Sequence, residues 1–118
     1  GVAAAEMLLA IEKRCAGIPS LVGTVGQLLV PNGAMNVIPG RCEFSTDIRA
    51  STNEMRDAAV RDVLAAFDEI AKRGGVTVKA EEVLRMSAIP LSPYLQERLK
   101  AAAERLGAKP MMLPSGAG

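Results

Sequence analysis

Residues 41–50, "RCEFSTDIRA", constrain the fold more than any other stretch. Cys42, Phe44, Thr46 and Ile48 alternate with Arg41, Glu43, Ser45, Asp47 and Arg49. A period of two places the first set on one face of a β-strand and the second on the other. Such a strand belongs to a sheet covered on one side only, its polar side turned to water or a partner. The cover must come from elsewhere in the chain, and two helical patterns supply it. Ala4, Met7, Leu8, Ile11 and Cys15 recur at helical spacing before Gly17 and Pro19 end the run. Val60, Val63, Leu64, Phe67 and Ile70 mark a second helix reaching about Arg73. "STNE" at residues 51–54 predicts its start as a capping box, with Ser51 as the cap and Glu54 reaching back. Gly74 and Gly75 provide a left-handed stop.

The remaining segments complete an order. Residues 21–30, "LVGTVGQLLV", read as a strand weakened by Gly23 and Gly26, positions where a neighbouring backbone approaches closely. Residues 76–86 read as a third strand whose alternation slips at Glu81 and Glu82, as a bulge would make it. Ser92 and Pro93 open a third helix carrying Leu95, Leu99, Ala102 and Leu106 and stopping at Gly107. "PMMLP" follows as a short strand. Without the last pair the order is α-β-β-α-β, a ferredoxin-like β-α-β-β-α-β unit lacking its first strand. The expected class is α+β: a two-layer sandwich, an antiparallel sheet with helices on one face. The first helix has no visible N-cap, so the sequence is expected to extend upstream.

Composition removes several functions. The 118 residues make one domain, and 49% hydrophobic with 23% charged residues is a globular balance. A net charge of +1 with interspersed signs gives no footprint for nucleic acid or an anionic membrane. No apolar run is long enough to span a bilayer, and the start lacks a signal-peptide pattern. Two cysteines make neither a disulfide framework nor a metal motif, which suits a cytoplasmic location. The absence of histidine excludes Ser–His or Cys–His nucleophile pairs and a His-rich zinc site within the chain, so no catalytic or metal-ligating residue is assigned.

Residues 31–40 connect the two strands with far more chain than a tight hairpin needs. Asn36 within it reads as a local turn residue or a functional one, since long loops without regular structure are enriched in function. Arg49 reads as a solvated arginine or as a fork of donors for a carboxylate. "SGAG" at residues 115–118 resembles a phosphate-cradling loop only weakly, without the lysine or the helix of a P-loop. Ser115 has no base, and Cys42 reads as an inert thiol facing the core beside Phe44. The six methionines read as core or interface filler, and the acidic pairs at 68–69 and 81–82 as solvated surface.

In combination, "VGTVGQLLVPNGAMNVIPGRCEFSTDIR" at 22–49 and "LPSGAG" at 113–118 resemble the N-carbamoyl-L-amino-acid hydrolase, allantoate amidohydrolase and β-ureidopropionase group. These are binuclear-metal amidohydrolases related to the aminoacylase-type exopeptidases. The resemblance covers essentially the whole chain. It implies that residues 1–90 are the dimerisation, or lid, domain and that residues 91–118 carry a helix and the return to a catalytic domain. It implies a homodimer through the exposed strand and first helix, two divalent ions (zinc or manganese) held outside this segment, and a small ureido-acid substrate. By motif position, Asn36, Arg49 and Gly118 are implied substrate-binding residues, Arg49 gripping the carboxylate. The segment alone is then expected to be inactive. The competing expectation is a stand-alone ferredoxin-like module for a small ligand or self-association.

Overall fold

The computed structural model describes residues 1–113. They fall into two compact units, Gly1–Met86 and the residues from Ser87 onward. The first unit contains α1 (Val2–Cys15), β1 (Leu21–Leu29), β2 (Glu43–Ala50) and α2 (Asn53–Gly74). β1 and β2 form a two-stranded antiparallel sheet, pairing Leu21 with Ala50 and Leu29 with Glu43. The register shifts between Val25 and Gln27, a bulge at Gly26. Both helices lie on one face of the sheet, α1 against β1 and α2 against β2. This is the α+β, ferredoxin-like two-layer sandwich that the alternation predicts.

The helices are bound to the sheet by the residues that the periodicity singles out. Met7 and Ile11 of α1 and Val63, Phe67 and Ile70 of α2 form the buried cluster, with Val25, Phe44 and Ile48 packed against it from the sheet. The Phe44 and Phe67 rings meet edge to face at 5.7 Å. A second cluster of Cys15, Leu21 and Ala59 closes the opposite end. α1 and α2 run antiparallel, since Arg73 pairs with Glu6 at one end and Arg14 with Asp62, at 2.7 Å, at the other. α1 sits so close to β1 that a Cβ on Gly23 would come within 2.5 Å of Cys15 Sγ and 3.1 Å of Ile11 Cγ2. The close approach expected at Gly23 is therefore to helix side chains, not to a neighbouring backbone. Gly75 ends α2 in the left-handed conformation at φ 63°, donating its N–H to Lys72 and Ala71 carbonyls.

Several expectations are corrected. The cap of α2 is Thr52, whose hydroxyl accepts from the Met55 N–H at 3.2 Å. Ser51 donates its own N–H to the Ser20 carbonyl at 3.1 Å, which keeps it in the hairpin for one residue longer. β2 begins at Glu43 rather than Arg41, and Thr46 is exposed although it has core parity. Leu64 is likewise exposed at 39%. Residues 76–86 form no strand, because no described strand offers them a ladder; the bulge lies in β1 instead. Side chains tether that segment: Val78 packs on the core, Arg56 donates to the Met86 carbonyl, and Arg85 bridges Asp57 and Glu82 at 2.8 and 2.6 Å. Among the described residues of "PMMLP" there is no strand either.

In the second unit, α3 (Pro93–Arg105) begins with proline in its first turn, as expected, but Ser92 makes no side-chain cap. Its apolar positions Leu95 and Leu99 are exposed, and Gly107 turns the chain at φ 77°.

Candidate functional site

The polar side of β2 is the face turned away from the helices. Arg49 lies near the end of that strand, opposite Val22, and Asp47 lies two residues earlier, opposite Thr24. Residues two apart in a strand share a face, so the two side chains meet. Asp47 Oδ1 accepts from Arg49 Nε and Oδ2 from Nη2, each at 2.9 Å. This is a bidentate, charge-assisted pair with side chains 59% (Arg49) and 52% (Asp47) exposed. The hydrogen bonds from Arg49 hold the Asp47 carboxyl below its ordinary range, and Asp47 in turn holds Arg49 firmly cationic. A guanidinium oriented in this way is of a type suited to a small carboxylate.

Asn36 occupies a different place. The connection is built from two successive turns: the Gly33 N–H donates to the Val30 carbonyl at 3.2 Å, and the Val37 N–H donates to the Ala34 carbonyl at 3.3 Å. Pro31 and Asn32, the latter at φ 54°, have the positions that a type II turn demands. Asn36 is the third residue of the second turn and is exposed, between the exposed Met35 and Val37. Pro39 packs beside Gly1, which places the loop at the N-terminal end of α1. Leu21, the partner of Ala50, packs with Cys15 at the C-terminal end of α1. Six residues of strand between Glu43 and Arg49 measure about 20 Å. The fourteen residues of α1 give an independent ruler of about 21 Å. One chain therefore holds Asn36 and Arg49 at opposite ends of the sandwich and does not bring them together.

Gly118 and Ser115 lie outside the described residues. Cys42 is partly buried, while Cys15 is buried and its thiol is pushed up by desolvation, which makes it a poor nucleophile. Among the described residues no three His, Cys, Asp or Glu side chains converge as metal ligands. No step is assigned to a metal centre. No described helix is long and apolar enough to cross a membrane. The Asp47–Arg49 pair was legible only as two charges on one strand face; the spacing of two residues is the signal that points to it.

The pattern of the peptidase dimerisation domain matches residues 3–75, which takes in both Asn36 and Arg49. The chain is 36% identical over 115 residues to the N-carbamoyl-L-amino acid amidohydrolase of Geobacillus stearothermophilus, covering 98% of this chain and 28% of that protein. It is 34% identical over 80 residues to the allantoate amidohydrolase of Bacillus subtilis (strain 168), covering 68% of this chain and 18% of that protein. A solved hydantoinase/carbamoylase family amidase from Burkholderia ambifaria superposes with a TM-score of 0.95 at 32% identity, over 99% of this chain and 29% of that one. The chain thus spans less than a third of the length of each of these relatives. A helix-covered hairpin matched along nearly all its length decides the family: the chain belongs to the peptidase dimerisation domains, as the dimerisation domain of the N-carbamoyl-L-amino-acid and allantoate amidohydrolase group.

Proposed function

We propose that this chain serves a metal-dependent amidohydrolase that cleaves the carbamoyl or ureido C–N bond of N-carbamoyl-L-amino acids or allantoate. The chain supplies dimerisation and substrate binding, while the metal ligands, two zinc or manganese ions and the attacking group belong to the rest of a longer, cytoplasmic protein. Arg49 binds the substrate carboxylate, Asn36 hydrogen-bonds the carboxylate or ureido group, and Gly118 adds a backbone contact. The isolated chain is inactive. The observation that carries this reading is the match of nearly the whole chain to a part of known amidohydrolases in sequence and fold, with Arg49 oriented on the polar sheet face.

The separation of Asn36 and Arg49 shapes the rest. A ligand of amino-acid size does not reach across about 20 Å of strand, so both residues serve one substrate only if two copies contribute. Among the described residues nothing pairs with the outer edge of β1, and the strand has no charged residue to protect it, which invites pairing with a second copy. Exposed Leu9 and half-buried Leu8 of α1 extend that edge beside Gly23 and Val25. Antiparallel pairing of β1 with the partner's β1 about a two-fold axis carries the partner's loop to the end where Arg49 lies. The length of the connection then has a purpose: it crosses from one subunit to the other.

Complementation tests this in the full-length protein. Asn36→Ala and Arg49→Ala each abolish hydrolysis of an N-carbamoyl-L-amino acid. An equal mixture of the two variants, refolded together, regains about a quarter of the wild-type rate, because half the dimers are mixed and half their sites are intact. Hydrolysis by the isolated 118-residue chain, or undiminished activity in Arg49→Ala, would overturn the functional reading. Loss of activity in both variants without recovery on mixing would overturn the shared site alone.

A further inference from the structure

We propose that Met35 is the residue that reads the substrate's side chain, and that it selects N-carbamoyl-L-amino acids with an apolar side chain over allantoate. The inference rests on the role proposed above for Asn36. Met35 and Asn36 are the two central residues of the turn in which the Val37 N–H donates to the Ala34 carbonyl, so they share its apex. Consecutive Cα atoms lie about 3.8 Å apart. A ligand of amino-acid size that meets the Asn36 amide is therefore within reach of the Met35 side chain, in whichever subunit's site the loop ends.

The apex has the make-up of a binding wall. In residues 34–39, "AMNVIP", Asn36 has the one polar side chain. Met35 is fully exposed and Ile38 is 90% exposed. Small-molecule sites combine apolar walls with a few placed polar groups in this way. The backbone beneath is held on both sides. Ala34 and Val37 form a bridge that closes the turn, the Gly33 N–H donates to the Val30 carbonyl before it, and Pro39 packs beside Gly1 after it. The Met35 side chain is left to adapt. Its unbranched thioether turns about three bonds and moulds to different apolar shapes, which suits a range of aliphatic and aromatic side chains. Allantoate carries a second ureido group where an amino acid has its side chain. A thioether offers the N–H donors of that group a weak acceptor, and polar groups covered without partners are costly.

The test is substrate discrimination by the full-length protein, read as ratios of kcat/KM. The wild type is expected to favour N-carbamoyl-L-leucine over both N-carbamoylglycine and allantoate by at least about tenfold, the scale set by a small apolar group in a matching pocket. Met35→Ala should lower the leucine-to-glycine ratio about tenfold, and Met35→Leu, a swap of like volume, should lower it less. Met35→Gln, of similar length but able to pair with a ureido group, should lower the leucine-to-allantoate ratio about tenfold. A role confined to the shape of the loop slows all substrates alike, and ratios that do not move overturn the proposal. So does a wild type that prefers allantoate. If Asn36→Ala retains full activity, the inference falls together with the functional reading beneath it; if Asn36→Ala is inactive while the ratios stay fixed in the Met35 variants, the inference about Met35 alone fails.

Discussion

Gly23→Ala is the substitution for which the structure makes the sharpest demand. The added Cβ would lie 2.5 Å from Cys15 Sγ and 3.1 Å from both Cys15 Cβ and Ile11 Cγ2. Comfortable contacts between such atoms begin near about 3.5 Å, so the shortfall is roughly 1 Å at the sulfur and half that at the carbons. Rotating Cys15 relieves only the first clash. The other two involve a Cβ that does not move with its own rotamer and Ile11, which is 1% exposed. α1 must therefore lift from β1. Overpacking of this kind costs about 1–3 kcal/mol, offset by roughly 0.4–1 kcal/mol from restricting the unfolded chain. The net loss is about 1–2 kcal/mol, or a midpoint lower by about 4–8 °C for a chain of this size. The chain has no tryptophan, so far-UV circular dichroism under urea and heat is the suitable assay. Pairing the change with Cys15→Ala removes the worst contact and lets the new methyl fill part of the space left. The double variant should be about 1 kcal/mol more stable than the sum of the single effects. A midpoint unchanged or raised in Gly23→Ala, or strict additivity in the cycle, would refute the close packing described for α1 and β1.

Two further outcomes are expected. Thr52→Ala should cost about 1 kcal/mol through loss of the α2 cap, whereas Ser51→Ala, which keeps its backbone bond to Ser20, should change stability by less than about 0.5 kcal/mol; equal losses in the same denaturation assay would reassign the cap. The second concerns pH. Hydrogen bonds from Arg56 hold the Asp57 carboxyl below its ordinary range, and those from Arg85 do the same for Glu82. A carboxyl depressed in the folded state stabilises the fold above its unfolded pKa, and that contribution is lost as pH falls through the folded value. The thermal midpoint should therefore decline on acidification below the usual carboxylate range. Arg85→Gln should flatten that decline, and identical profiles for the two proteins would count against the tether on residues 76–86.

The legible parts of the molecule are those whose physics is local. Alternation along β2 separates a face that meets Phe67 from one that carries Asp47 and Arg49. The helical recurrence of Met7, Ile11 and Cys15 marks the buried side of α1, and Gly75 stops α2 because it tolerates the left-handed turn. Motif resemblance added the family and drew attention to Asn36 and Arg49. Tertiary structure decided whatever depends on a distant partner. Residues 76–86 have strand-like composition, yet a strand needs a second backbone to bond with, and side chains on α2 hold them instead. The cap falls on Thr52 because the hairpin still uses the Ser51 N–H, a fact about residue 20 rather than residue 51. Gly23 is required by Cys15 and Ile11, eight and twelve positions away, which meet it only once α1 folds back over β1. Asn36 and Arg49 lie thirteen residues apart in the chain, and nothing in that spacing reveals that paired strands set them at opposite ends of one subunit.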